Sequence, residues 1–198
     1  MASQRYPLII RSIHLGLIIF GISAFLTGEF AEDEAATLGY LAHTYLGLAL
    51  TLFVVSRTAI GIVGPKPSRF ATWFPFTRAR FSVVLEDIKK IFKLELPVHD
   101  GHQGISALVH AFGILLFLWM GLTGTALYFI GDFEASMAGK FVAEIHEVGE
   151  SLIPLFLVLH VGAVILHTVL GHPILKRMLS FGRVKDQERV NDDGQRQN

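Results

Sequence analysis

The sequence predicts an all-α fold: a four-helix transmembrane bundle with both termini cytoplasmic and a short amphipathic helix in the inner loop. Three observations carry that expectation. Of 198 residues, 52% are hydrophobic and only 17% charged, against about 25% charged in a soluble domain. The apolar residues are gathered into four blocks, each able to form the ~20-residue helix that crosses a ~30 Å hydrocarbon layer. The basic residues between those blocks fall almost wholly on one side. The composition also excludes other classes. Formal net charge is zero, so no long-range field invites nucleic acid. The absence of cysteine excludes disulfides, thiolate zinc sites, iron–sulfur clusters and c-type haem attachment by this chain. Nine histidines remain as the abundant metal-ligating side chain.

The first block runs from Pro7 to Gly28 and the second from Leu38 to Gly64. The third runs from Gly104 to Gly131 and the fourth from about Phe141 to Gly171. Each closes at a glycine, a common helix stop. Arg11 and His14 interrupt the first block and no small-x-small site follows it, so it reads as a span and not as a cleaved signal. Between the second and third blocks, Phe81 to Leu94 has apolar residues at 81, 84, 85, 88, 91 and 92 with charges on the other face. That pattern predicts a helix lying on the membrane surface. Residues 1–180 form the membrane domain, and the polar tail 181–198 is expected to be disordered.

Charge sets the orientation. The amino-terminal segment, the loop from Pro65 to Gln103 and the carboxyl tail together hold 15 of the 17 Lys and Arg residues. Lys140 stands on the opposite side, beside an acidic loop with Glu29, Glu32, Asp33 and Glu34. By the positive-inside rule both termini are cytoplasmic, which predicts a multi-pass protein of the bacterial inner membrane.

Ionisable residues inside spans are costly and mark function by default. His14 and His160 fall in the inner halves of the first and fourth spans, and His43 and His146 near the outer ends of the second and fourth. His146 and His160 are 14 residues apart, which is ~21 Å of helix with the two side chains within about 40° of one face. One helix thus offers an imidazole at each of two depths, and a single histidine from another helix completes each pair. Neutral imidazoles suit iron, and bundle cores are where such cofactors sit. The pattern predicts two bis-histidine b-type haems (iron protoporphyrin IX) stacked across the bilayer. Gly47, four residues past His43, would leave room for a ring. Arg57, fourteen past His43, would either meet a propionate of the inner haem or anchor the span.

The segments HEVGESLIPLFLVLHVGAVILHTVLGHPILKRML, SRTAIGIVGPKPSRFATWF and GHQGISALVHAFGILLFLWMGLTGTAL resemble bacterial di-haem cytochromes of the cytochrome b561 family. That group is related to the b-type subunit of nickel–iron hydrogenases and the gamma subunit of formate dehydrogenase. The resemblance covers nearly all of residues 7–180. It implies that His14 and His160 ligate the cytoplasmic-side haem and His43 and His146 the periplasmic-side one. GHQG stands where many relatives have Gly-His-Asn-Pro, and His110 matches no ligand position of the family.

The function expected is electron transfer between the quinone pool, which the resemblance implies, and a periplasmic redox partner such as a c-type cytochrome. For the quinone, His167 is the first candidate, seven residues past His160 on the same face, with His102 and His110 second. The alternative is a stand-alone quinone reductase that oxidises a small diffusible species such as superoxide at the periplasmic face. The acidic outer loop argues against that reading and suits a basic carrier protein. A histidine-based transporter would need discontinuous helices or repeats, and none is evident. HEVGE at 146–150 is not a zinc-protease motif, because position 150 is Glu.

Overall fold

The computed structural model describes residues 6–32, 37–99, 102–171 and 178–179. The polar tail read from the sequence lies outside them. In chain order the helices are α1 (Leu8–Thr27), α2 (Leu38–Val63), α3 (Phe70–Trp73), α4 (Arg78–Phe92), α5 (Gly104–Ile130) and α6 (Met137–Val169). There is no strand among the described residues. The helices α1, α2, α5 and α6 are each long and apolar enough to cross a membrane.

Their boundaries follow from local chemistry. Thr37 caps α2 by accepting the Tyr40 N–H, and Ser136 caps α6 by accepting the Gly139 N–H. That serine cap starts α6 four residues before the Phe141 expected from apolar residues alone. With 33 residues, α6 is ~50 Å long at 1.5 Å per residue, more than the hydrocarbon layer needs. Its surplus length lies at the amino-terminal turns, which carry Lys140 and Glu144. Large apolar side chains such as Leu52, Leu122, Val158 and Val169 lie exposed along the spans. Lipid is the solvent that suits them.

The packing is an open chain of seams. α1 packs on α2, α2 on α5, and α5 on α6. Among the described residues, α6 has at most marginal close backbone contact with α1 or α2, and only 11% of its most apolar window is buried, against 33% for α5. The α5–α6 seam is filled by Leu116, Met120 and Ile153, with Phe112, Trp119 and Phe156 around them. At the other end of α5, Trp73 and Phe74 pack on Ala107 and Ala111.

The amphipathic inner-loop helix is present, with most of its apolar side chains turned away from the bundle. Phe81, Leu85, Ile91 and Phe92 are exposed, whereas Val84 and the charged Asp87 are buried against the bundle. The apolar face is left for the lipid surface, as interfacial helices leave it.

The α5–α6 seam gives a direct test. A Cβ at Gly113 would overlap the Phe156 ring, whereas a Cβ at Gly162 meets open space. Gly113→Ala is expected to destabilise by about 1–3 kcal/mol, read as a lower melting temperature in detergent. Gly162→Ala should be neutral or stabilise by up to about 1 kcal/mol, because alanine favours helix.

Candidate cofactor site

Four histidines from three helices meet as two pairs. His43 of α2 faces His146 of α6 with ring centres 6.4 Å apart and planes at 86°. His14 of α1 faces His160 of α6 at 6.1 Å and 64°. Two imidazoles on opposite sides of one metal, at about 2 Å per bond, hold their centres about 6 Å apart. Both pairs reach across the side where α6 stands off from α1 and α2. Among the described residues no three His, Asp or Glu side chains converge as a cage for a bare ion. The donors are two opposed imidazoles at each level, the set that suits a metal whose equatorial positions are already filled.

The ring nitrogens are prepared for that use at the acidic end of the bundle. The His43 Nδ1–H donates to the Ala24 carbonyl at 2.9 Å. The His146 Nδ1–H donates to the Thr123 hydroxyl at 2.8 Å, and that hydroxyl donates in turn to the Trp119 carbonyl at 2.9 Å. With Nδ1 carrying the proton, Nε2 keeps its lone pair in both rings. Gly124 lies under the His146 ring, where a Cβ would stand 3.1 Å from Cε1. At Gly47 nothing lies within 4 Å of where a Cβ would be, so space is open on the face that carries His43.

The basic end, which carries the 65–103 loop, is built differently. His160 stacks on Phe156 at 5.3 Å and 13°, and His110 meets it edge-on at 4.9 Å. The His110 Nδ1–H donates to the Ser106 carbonyl at 2.7 Å. His102 continues the row, 4.0 Å from His110, 5.2 Å from Trp73 and 5.8 Å from Tyr6 between ring centres. Beside it, a cleft of about 180 Å³ opens between α3, α4 and the start of α5, lined by Trp73, Arg80, His102, Gln103 and Gly104 among others. Trp73 is 6% exposed, and its Nε1–H is buried without a hydrogen-bond partner.

Arg57 turns onto this aromatic wall. Its guanidinium lies 5.2 Å from the Phe70 ring centre and 5.9 Å from that of Trp73, with Nη1 3.5 Å from the Ser68 carbonyl. His167 sits half-buried in the last turn of α6 and is not among the residues that line the cleft. Three side chains of this site were not singled out in the sequence: Thr123, Trp73 and Tyr6. The hydroxyl of Thr123 inside an apolar span was the available signal for the first. Trp73 lay within a segment quoted only for its resemblance.

All-helical spans that present imidazoles in facing pairs at two depths define a membrane protein built to hold a cofactor between its helices. A family model described as prokaryotic cytochrome b561 matches residues 5–181, and the chain belongs to that family. It is a multi-pass protein of the bacterial inner membrane that works in electron transfer through b-type haem. No curated protein and no solved structure gives a significant match.

Burial, with the nearby Arg57 cation adding to it, holds the His102 imidazole down to about 4. A group whose pKa is lower folded than unfolded binds more protons unfolded, so its neutral burial is lost as pH falls. Stability should therefore fall between pH 6.5 and about 4, by up to about 1.4 kcal/mol per pH unit. Thermal melts across this range should show a smaller loss for His102→Gln than for the wild type.

Proposed function

We propose that the chain is an electron-transfer cytochrome with two bis-histidine b haems, exchanging electrons between the quinone pool and a periplasmic redox partner. The observation that carries the reading is the two facing imidazole pairs, at 6.4 and 6.1 Å, on opposite halves of α6. His43 and His146 would hold the haem of the acidic end, and His14 and His160 that of the basic end. Haem bound there supplies a one-electron iron couple. The chain fixes the tautomers of His43 and His146 through Ala24 and Thr123, and it lays the Phe156 ring against His160. The positive-inside rule puts the basic end in the cytoplasm.

We assign the quinone head group to the cleft at Trp73 and His102, in preference to His167. A quinone carbonyl needs a hydrogen-bond donor, and the Trp73 Nε1–H is a buried donor with no acceptor. Leaving such a group unmatched costs about 1–3 kcal/mol, which a bound carbonyl would recover. His110 stands between His102 and His160 and is a wall of the path, not a contact of the cleft.

At the acidic end, Glu29, Asp132, Glu134, Glu144, Glu147 and Glu150 face a single basic residue among the described ones, Lys140, itself 3.3 Å from Glu134. That field favours a basic redox carrier such as a c-type cytochrome. It disfavours superoxide, an anion.

Purified protein should hold two low-spin haems per chain by pyridine haemochrome assay. His43→Ala should leave one, and His14→Ala should leave the other, told apart by potentiometric titration. One haem in the wild type, or loss of both in each variant, contradicts the pairing. Reduction of the haems by quinol tests the cleft: Trp73→Phe should raise the KM for quinol up to about tenfold, the worth of one hydrogen bond, with dithionite-reduced spectra unchanged.

A further inference from the structure

The amino end of α5 is capped from a distance. α2, α4 and α6 each carry their own Thr or Ser cap, at Thr37, Thr77 and Ser136. The residue before α5 is Gln103, and its side chain makes no cap. The acceptor comes instead from α4: Asp87 Oδ2 takes the Ile105 N–H at 3.0 Å. The same carboxylate takes the His99 Nε2–H, at 2.8 and 2.9 Å to its two oxygens. Asp87 is 0% exposed, and His99 closes the carboxylate from the solvent side. Gly104 makes the approach possible. Its φ is +56°, and a Cβ there would overlap the Asp87 carboxylate.

One carboxylate thus clasps the chain on both sides of His102 and Gln103. A buried charge is costly unless it is fully hydrogen-bonded, and a local Ser or Asn would cap a helix at less cost. With the cap on α4, His102 and Gln103 line the cleft without capping the helix, and α4 is tied to the same point.

We propose that Asp87 is a positioning residue for the cleft: through His99 and Ile105 it holds His102 beside Trp73 and Gln103 in the cleft wall. This rests on the quinone reading of the cleft. The test compares wild type, Asp87→Asn, Asp87→Ala and His99→Ala in the haem-loaded protein. Two quantities are read, the KM for quinol and the hydrogen exchange of a peptide spanning Ile105. Asp87→Ala should speed the exchange at least tenfold and raise KM about tenfold, with haem content and the rate at saturating quinol near wild type. Asp87→Asn keeps an acceptor for the Ile105 N–H and should recover most of both. His99→Ala leaves the α5 cap in place, so it covers the case in which Asp87→Ala does not fold, and should raise KM several-fold.

An unchanged exchange rate in Asp87→Ala or an unchanged KM in His99→Ala overturns the clasp. Faster exchange with an unaltered KM overturns its positioning role. If quinol does not reduce the wild type, the quinone reading fails, and the clasp stands or falls on the exchange of Ile105 alone.

Discussion

The structure depends on how an apolar bundle tolerates four imidazoles. An imidazole with an unmet polar atom in hydrocarbon is expensive, and cheaper side chains would pack α6 against α1 and α2. The chain instead leaves that side open and aims His43 at His146 and His14 at His160 across it. At the acidic end both Nδ1 protons are already committed, to Ala24 and to Thr123. That leaves Nε2 of each ring as its acceptor atom, the one an imidazole uses toward a metal. The open seam and the histidines therefore explain each other: the seam would be a packing defect without them, and they would be a desolvation cost without the seam.

Holding α6 away from two of its neighbours places its support on α5. The α5–α6 seam is accordingly filled with interlocked aromatics, and Gly113 takes the Phe156 ring directly on its backbone. The same ring stacks on His160. The helix contact that secures α6 thus also bears on the ring plane of one of its two paired histidines. The length of α6 has a second consequence, since its amino-terminal turns carry Lys140 and Glu144 on the outer side of His146, with Glu147 exposed beside it. The surface charge that would select a partner and the imidazole closest to it belong to one rigid helix.

Much of this was legible in the sequence. The four spans follow from apolar blocks closed by glycine, and the histidine pairing from depth along each span. Other features depend on how helices are rotated against one another, which periodicity within one helix does not encode. Thr51, Thr58, Thr123 and Thr168 all bond carbonyls of their own helix. Of these, Thr123 also meets a histidine, and the rotation of α5 against α6 decides that. Arg57 had two readings, an anchor or a propionate partner, and neither included the aromatic faces of Phe70 and Trp73, which come from a loop. Asp87 read as one more charge on the wet face of α4. In water the apolar face of such a helix turns to the protein. At a lipid surface most of it turns to the bilayer, and the strip that packs on the bundle here is Val84 with Asp87.

The charges around the cleft bear on what it can take. Arg80 donates to the Phe74 and Ala71 carbonyls at 3.1 and 2.8 Å. Arg57 lies on two aromatic faces and reaches the Ser68 carbonyl. Asp87 is bonded to His99 and Ile105. Each formal charge near the cleft is thus engaged with protein groups. The uncharged polar groups that line it include the Gln103 amide and the His102 imidazole, which burial keeps uncharged near neutral pH, and the Trp73 N–H is buried in its wall. An anion such as a phosphate would draw on free guanidinium donors. A neutral carbonyl asks only for a buried donor and an apolar wall, and Trp73 supplies both from one side chain.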